Sequence, residues 1–340
     1  MEAQQRTRMP NLLSVSSDQL RLITKVAKLY HELHLKQTEV AGMLRISQTK
    51  VSRLLRRAED LGLVRTVVTV PSGVNTDIEA ELEREFSLTE AIVVDDPESP
   101  ELLLRTLGEA TASYLDNTLN GDDVLGYSSW SATLLEAAEA LLPGSRRRAT
   151  EVVQVVGGVG AQAVQDRANR MVDRLAAVTG ATTYYLPAPG LLDTPEAASS
   201  LLRDGSLSQV VEAWSRLTIA VVGIGSLEPS PFYRASGNAI SKADEQSLRD
   251  LGVVGDILLR YFDSDGELVD TPMNGRVVGI PPELFRKVPT RVAAAGGRRK
   301  ASAILGALRG GWMNVLITDA STASAVLALA SKWPARRDAG

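Results

Sequence analysis

The first patterned stretch of the chain has the periodicity of an amphipathic helix. In LRLITKVAKLYHELHL (20–35), apolar residues recur at Leu22, Val26, Leu29 and Leu33. Their spacing of four, three and four residues places a single apolar stripe along a helix. The pattern therefore predicts one helix over this stretch.

Two shorter helical patterns follow in residues 36–64. The apolar positions that would face inward are Val40, Ala41 and Leu44 in the first and Val51, Leu54 and Leu55 in the second. The small side chain of Ala41 suits two helices that cross closely, and Ser47 is a good N-cap for the second helix. Ile46 lies in the turn between them. The pattern predicts a helix-turn-helix, with Arg45 at the turn position usually given to glycine.

The second of these helices carries polar residues on the outer side of its first turn and arginines further along the same side. The residues predicted to contact DNA are Thr38, Ser47, Gln48, Thr49, Lys50, Ser52, Arg53, Arg56 and Arg57. Base-edge readers at the tip and phosphate-neutralising cations behind them are typical of a recognition helix. The run LGLVRTVVTV (61–70) then alternates as the strand of a wing would. The alternative is a three-helix bundle with a solvated basic face.

Beyond these helices, short apolar strands alternate with helical patterns. A charged helix, TDIEAELEREFS (76–87), is followed by strands predicted in 90–96, 122–129, 151–158, 182–190, 217–225 and 314–319, with helices such as 131–142 and 169–180 between them. Continuous apolar strands that alternate with helices predict a parallel sheet covered on both faces. Ligands of such sheets bind at the carboxyl ends of the strands.

Those strand ends are rich in glycine and hydroxyl side chains. GYSSWSAT (126–133) opens a helix, where free N–H groups favour an anion. The glycine pair 157–158 and GIGS (223–226) allow close approach of a ligand to the backbone. Asp256 offers a carboxylate for sugar hydroxyls, and GGRRK (296–300) begins a second helix. Each signal alone also fits an ordinary glycine turn, but together they predict a sugar-phosphate pocket.

Charge and composition separate a basic head from an acidic body. The chain of 340 residues has a net charge of −4, with a net +6 in residues 1–66 and −10 in the remainder. This asymmetry suggests nucleic-acid contact by the head alone. The chain has no cysteine, and no apolar run approaches the roughly 18 residues that span a bilayer. We therefore expect a cytoplasmic protein with no membrane partner.

The motifs of several enzyme classes are absent from the sequence. It contains neither G-x-G-x-x-G nor a Walker A sequence, so no nucleotide cofactor is expected. The histidines, His31 and His34, both lie in the first helix, and neither a metal site nor a catalytic residue is predicted. A carboxylate or a lysine of the body could still serve an isomerase.

The order of the motifs resembles a known family. From about residue 20 to residue 330, the head, GYSSWSAT, VVQVVGG, LPAPG, GIGS, GVVGDILLRYFDSDG, AAGGRRKASAILGALRGG and VLITD look like the SorC family of bacterial sugar-responsive transcriptional regulators. The resemblance implies an α/β fold class, with an N-terminal (winged) helix-turn-helix domain and a Rossmann-like effector domain related to sugar-phosphate isomerases. It also implies tetramers and an effector that is a phosphorylated sugar.

The resemblance carries over to single residues. Ser128 to Thr133 would form the phosphate loop, Lys300 would bind the phosphate, and Asp256 would face the sugar. The residues predicted to bind the effector are Gly126, Ser128, Ser129, Ser131, Ala132, Thr133, Gly157, Gly158, Gly225, Asp256, Gly296, Gly297 and Lys300. Arg298 and Arg299 are expected to be solvated, because consecutive helical residues point to different faces.

This sequence departs from the family pattern at two places. Val156 stands where some members have an arginine that holds a second phosphate, which argues against a bisphosphate. The first loop differs from its usual form at Tyr127, Ser129 and Ser131. The identity of the sugar therefore stays open.

We expect a mobile arm in residues 1–16, a helix-turn-helix domain in 17–70, a linker helix in 71–89 and an effector and oligomerisation domain in 90–340. The predicted function is that of a DNA-binding regulator of a carbohydrate-metabolism operon. Its partners would be double-stranded operator DNA, a small phosphorylated sugar and further copies of the chain, as a dimer or tetramer. The alternatives are a sugar-phosphate isomerase or deaminase with an accessory DNA-binding head, and an architectural DNA-binding protein.

Overall fold

The computed structural model describes residues 16–64, 75–142, 148–158, 162–228, 234 and 240–333. The chain divides into two compact units, residues 1–69 and residues 70–340. The wing strand expected in 65–70 and nearly all of the N-terminal arm lie outside the described residues. Among the described residues, no helix is long and apolar enough to cross a membrane.

The N-terminal unit is built from short helices around a small apolar core. Their bounds are α1 Ser17–Ala27, a π-helical turn Lys28–Glu32, α2 Gln37–Leu44 and α3 Gln48–Asp60. Val26, Val40 and Val51, one from each α-helix, are fully buried together. Ser47 caps α3 by accepting a hydrogen bond from the Lys50 amide at 3.2 Å. The predicted helix-turn-helix is confirmed.

The predicted apolar stripe of the first helix ends before Leu33. After α1 the chain takes a π-helical turn, in which the Leu33 amide donates to the Lys28 carbonyl oxygen at 3.1 Å. A π-turn changes the angular spacing of successive side chains. Leu33 is consequently 62% exposed, and its predicted place in the stripe is wrong.

Arg45 occupies the turn in the left-handed conformation that glycine favours. Its φ and ψ are 54° and 44°, and the following amide, of Ile46, donates to the Ala41 carbonyl oxygen at 3.0 Å. A side chain in this conformation costs about 1 kcal/mol. The turn therefore keeps the backbone of a glycine turn in spite of the arginine.

The second unit contains the following elements in chain order. Its helices are α4 Thr76–Phe86, α5 Pro100–Thr118, α6 Ala132–Ala140, α7 Gln162–Thr179, α8 Pro195–Leu202, α9 Ser208–Ala213, α10 Lys242–Asp250, α11 Pro272–Gly275, α12 Pro282–Phe285, α13 Ala301–Arg309 and α14 Ala320–Lys332. Its strands are β1 Glu90–Val94, β2 Val124–Tyr127, β3 Glu151–Gln154, β4 Thr182–Tyr184, β5 Ile219–Val222, β6 Gly225–Ser226, β7 Gly255–Ile257, β8 Arg260–Phe262, β9 Thr290–Ala294 and β10 Val315–Asp319.

Seven of these strands form one parallel sheet in the order β1-β10-β9-β5-β2-β3-β4. Helices cover both of its faces. Buried side chains on one face include Leu107 of α5, Leu134 of α6 and Leu175 of α7; those on the other include Leu82 of α4, Ile304 of α13 and Val326 of α14. The predicted parallel sheet with two covered faces is confirmed.

Several strands were not predicted from the sequence. β9 lies in the centre of the sheet, but its alanines have little strand propensity and lead directly into a glycine pair. β6, β7 and β8 form a separate antiparallel sheet, and each contains only two or three residues. Such short strands are too brief to show an alternating pattern. This small sheet pairs Gly225 with Asp256.

Candidate functional site

A cleft of about 1020 Å³ opens at the carboxyl ends of the central strands. From β2 the sheet extends to β3 and β4 on one side, whereas β5, β9 and β10 lie on the other. Open α/β sheets bind their ligands where the strand order reverses in this way. Ser128 after β2, Gly223 after β5 and Gly296 after β9 line the cleft at this point.

The start of α6 forms one wall of the cleft. Ser131 caps this helix by accepting a hydrogen bond from the Leu134 amide at 3.3 Å. The other amides of the first turn lack partners within the helix and favour an anion. A Cβ on Gly223 would lie 2.9 Å from the Ser131 hydroxyl oxygen. The glycine is therefore what lets the loop after β5 approach this hydroxyl so closely.

Asp319 holds the loop formed by Gly296 and Gly297, the glycine loop, in place. Its carboxylate accepts the Gly297 amide at 2.7 Å and the Thr322 amide at 3.0 Å. Burial disfavours the charge of Asp319, but hydrogen bonds from Gly297, Thr322 and Ser321 outweigh this effect and hold its pKa below the usual value. A Cβ on Gly296 would lie 2.3 Å from the carboxylate. The loop is thus fixed by an ionised side chain that fills the space beside it.

Lys300 and Asp256 place opposite charges in the same cleft. The Lys300 ammonium donates to the Ile224 carbonyl oxygen at 2.8 Å. Burial lowers the pKa of Lys300 to about 8, against the attraction of Asp256. Burial likewise raises the pKa of Asp256 to about 6, although the Leu259 amide, at 3.1 Å, and Lys300 both lower it. Both charges are poorly solvated, so a ligand that supplied hydrogen bonds to either would stabilise it.

A strained turn brings the Leu259 amide to Asp256. Leu258 and Leu259 connect β7 to β8 with φ values of 54° and 63°. Both side chains are buried and line the cleft. Two-residue hairpin turns with positive φ prefer asparagine and glycine, and leucines there store about 1 kcal/mol or more each. Backbone strain of this kind accumulates at functional sites.

The structure brings many of the predicted effector-binding residues together. Those that line the cleft are Ser128, Ser131, Ala132, Thr133, Gly225, Asp256, Gly296, Gly297 and Lys300. Arg298 and Arg299 are exposed at its rim. That these residues bind an effector remains a prediction.

Gly126, Ser129, Gly157 and Gly158 lie behind the wall of the cleft rather than on it. Gly126 is inside β2, with no space for a Cβ beside Val155. Ser129 is buried and accepts from the Gln154 side-chain amide at 2.7 Å. The Gly157 carbonyl accepts from the Trp130 indole at 2.6 Å, and Gly158 lines a separate cavity of about 350 Å³. The structure thus separates these residues from those that line the cleft.

Many residues that line the cleft were not predicted as site residues, and three of them form hydrogen bonds between its loops. These three are Asp96 after β1, Trp130 in the first loop and Asp319 at the end of β10. Trp130 and Asp319 lay within motifs that carried the resemblance, and Asp319 precedes a helix, which is a recognisable N-cap position. Asp96 gave no such signal, because its role depends on the position of β1 at the edge of the sheet.

On the N-terminal unit, α3 presents a polar and basic outer side. All of the predicted DNA-contacting residues are exposed: Thr38, Ser47, Gln48, Thr49, Lys50, Ser52, Arg53, Arg56 and Arg57. Lys50, Arg53 and Arg57 follow one another at spacings of three and four residues, which aligns them along one side of the helix. A helix of this kind can enter a major groove with its cations against the phosphates.

Known proteins are similar to this chain over both of its units. Residues 71–328 match the family model of the sugar-binding domain. The sorbitol operon regulator of Klebsiella pneumoniae is 32% identical over 315 residues, which cover 92% of this chain and 99% of that protein. The deoxyribonucleoside regulator of Bacillus subtilis (strain 168) is 29% identical over 309 residues, covering 90% and 97%. The crystal structure of the full-length Klebsiella regulator SorC superposes with a TM-score of 0.69 at 31% identity, covering 92% of this chain and all of that one.

The fold and the site together define a transcriptional regulator in which a helix-turn-helix accompanies a sugar-binding α/β domain. The chain belongs to the SorC family of sugar-binding bacterial transcriptional regulators. The predicted family, fold class and regulatory function are confirmed. The relatives are named as regulators, which favours this function over the alternative of a sugar-phosphate enzyme.

Proposed function

We propose that a phosphorylated sugar binds in the cleft and thereby controls the affinity of the helix-turn-helix for operator DNA. The observation that carries this proposal is the convergence of Lys300, the start of α6 and Asp256 on one cleft. A lysine and free helix amides are suited to a phosphate. A carboxylate beside them is suited to sugar hydroxyls. The cytoplasm would supply both the DNA and the metabolite.

The charges around the cleft favour an effector with a single phosphate. Val156, at the position before the glycine pair, is fully buried and cannot contribute a cation. Besides Asp256 and Asp319, the carboxylates that line the cleft are those of Asp96, Glu98, Glu136 and Glu228. Arg298 and Arg299 are exposed to solvent, where an ion pair contributes little. A second phosphate would meet these carboxylates and is therefore disfavoured.

Control of DNA binding would act through an oligomer. A palindromic operator presents half-sites about 34 Å apart, or a multiple of that distance, so two helix-turn-helix units must hold that spacing. A ligand changes operator affinity only if it binds the DNA-competent arrangement more or less tightly than the other. The family resemblance and the need for two reading helices both support a dimer or tetramer.

A thermal-shift screen of the full chain tests the effector. The panel contains sugar monophosphates, their unphosphorylated sugars, sugar bisphosphates and inorganic phosphate. A ligand at a hundredfold excess over its Kd stabilises by about 2.7 kcal/mol. We expect a rise in midpoint with one or a few monophosphates and a smaller rise with the matching free sugar. An equal rise with the free sugar would contradict a phosphate site, and turnover of a bound compound would revive the enzyme alternative.

The regulatory half of the proposal is tested with DNA. A duplex that the chain selects from a random-sequence library serves as the probe, and its Kd is measured with and without the effector from the screen. We expect the effector to change this Kd by roughly five- to 150-fold. An effector that binds without changing the Kd would leave the cleft as a binding site that does not control the DNA-binding unit.

A further inference from the structure

The linker helix α4 is held to the edge strand β1 by side chains that bond directly to the strand's backbone. Glu79 and Glu83 lie four residues apart, on one face of α4. Glu79 accepts the Val93 amide and Glu83 accepts the Ala91 amide, each at 2.9 Å. Leu82, between them, is completely buried. The two carboxylates thus take the place of a further strand at this edge.

A third side chain extends this arrangement at the start of the helix. The Asn75 side-chain amide donates to the Val93 carbonyl oxygen at 2.9 Å and to the Asp95 carboxylate at 3.0 Å. Asn75 directly precedes α4, and the chain arrives there from the helix-turn-helix through residues 61–74. Asn75, where the described part of the linker begins, is therefore anchored on β1.

At this same carboxyl end, β1 reaches the cleft. Asp96 lines the cleft and accepts the Ser321 amide at 2.8 Å, at the first turn of α14. The cap of the same helix is Asp319, whose carboxylate also holds the Gly297 amide. The glycine loop beside Lys300 is thereby connected to β1 through the start of α14, with hydrogen bonds at each step.

We propose that Glu79, Glu83 and Asp96 are positioning residues that transmit occupancy of the glycine loop, through β1, to the linker helix and so to the DNA-binding unit. The inference rests on the proposed function, because it assigns the route by which the effector acts. Directional hydrogen bonds fix the register between two elements, whereas packed apolar side chains allow small sliding motions. A ligand that moves the Gly296–Gly297 loop would consequently move α4.

The edge contacts can be removed without changing the effector site. The test variant is the double substitution Glu79→Ala and Glu83→Ala, which deletes both acceptors while alanine preserves helix propensity. Its matched control is Glu81→Ala with Glu85→Ala, which makes the same charge change on exposed positions of the same helix. The conservative pair Glu79→Gln and Glu83→Gln keeps a carbonyl acceptor at each position.

The first readout is the change in DNA Kd caused by the sugar monophosphate with the largest thermal shift, with the library-selected duplex as the DNA. We expect the full change in the unmodified chain, in the control and in the glutamine pair. The alanine pair should show less than about a twofold change while it keeps the ligand-induced thermal shift. A full change in the alanine pair would overturn the inference.

The second readout uses inorganic phosphate and needs no identified effector. Amide hydrogen exchange of the full chain is compared with and without phosphate. We expect altered protection both at Gly297 and along α4 in the unmodified chain, and at Gly297 alone in the alanine pair. Altered protection at Gly297 without any change in α4 of the unmodified chain would overturn the route. No change at Gly297 would contradict the anion site itself, and the route would fail with it.

Discussion

The ammonium of Lys300 lies 2.8 Å from the carbonyl oxygen of Ile224 and donates a hydrogen bond to it. Ile224 lies between β5 and β6, so this bond joins the start of α13 to the chain that follows β5. A neutral carbonyl satisfies one of the three donors of the lysine. Its other two donors belong to a side chain that is already held in place, so the binding of a phosphate, as proposed, would cost less conformational entropy.

Removal of the Lys300 charge should weaken phosphate binding without destabilising the free protein. In Lys300→Met, the expected loss of affinity for the effector or for inorganic phosphate is about 10- to 100-fold, because one charge-assisted hydrogen bond contributes roughly 1.5–3 kcal/mol. The thermal midpoint of the free protein should stay equal or rise, since the buried charge is costly. Arg298→Met, which removes an exposed cation from the same turn, serves as the control. Equal losses in the two variants would show a general charge effect instead of a specific contact.

Phosphate affinity should fall as the pH rises through about 8. The pKa of Lys300 is lowered to about 8 by burial, with Asp256 opposing and Arg299 adding to the shift. Below that pH the lysine carries the charge that the anion needs, and above it each pH unit reduces affinity by up to about tenfold. Isothermal titration with the sugar monophosphate between about pH 7 and pH 9.5 stays above the second ionisation of a phosphate monoester, near 6. Lys300→Met should lack this dependence, and a flat profile in the unmodified chain would exclude Lys300 as the partner.

Asp256 should make the protein less stable as the pH rises from about 4 to about 6. Burial raises its pKa from 3.8 to about 6, while the Leu259 amide and Lys300 lower it. The folded state therefore binds more protons than the unfolded state between those values, and stability falls as the pH rises. Ionisation of Asp256 lowers the free energy of unfolding by on the order of 2–3 kcal/mol, and this loss is complete above about pH 6.

Asp256→Asn isolates this contribution because asparagine keeps an acceptor for the Leu259 amide. Urea unfolding of both proteins at pH 4 and pH 7 gives the difference in stability at each pH. The variant should therefore be more stable, relative to the unmodified protein, at pH 7 than at pH 4. Asp250→Asn, on an exposed position of α10, should show no such shift. A shift of opposite sign would mean that the Asp256 carboxylate stabilises the folded protein when ionised.

The sequence predicted the parts of the site that depend on local pattern. Apolar runs that end in glycine located β2 and β5, and the cap signal of Ser47 located α3. It did not predict which glycines line the cleft. Gly157 and Gly225 look alike in sequence, but only the pairing of β6 with β7 places Gly225 against Asp256. Asp96 and Asp319 likewise acquire their roles from the order of strands in the sheet, which is a long-range property.

Arg45→Gly should stabilise the N-terminal unit. Arg45 has φ 54°, and removal of its side chain relieves about 1 kcal/mol of strain, less the entropy that glycine gains in the unfolded chain. Amide exchange of Val51 and Leu55 in the full chain should slow by up to about fivefold. The same change in the middle of α3, Arg53→Gly, should accelerate it, because glycine costs about 1 kcal/mol inside a helix. Faster exchange in Arg45→Gly would show that the arginine side chain makes a stabilising contact that outweighs the strain.

The polar outer side of α3 should determine DNA binding independently of the cleft. Arg53→Ala removes one exposed cation, so the slope of log K against log salt should decrease by about 0.9 if that cation neutralises one phosphate. Lys50→Ala, at the tip of the helix, should reduce preference for the selected duplex over random DNA more than it reduces overall affinity. Both variants should keep the effector-induced thermal shift, because the substituted residues belong to the other compact unit. Lys242→Ala, an equal change of charge on the body, serves as the control. Unaltered affinity and salt slope in both α3 variants would place the DNA-reading surface elsewhere on the N-terminal unit.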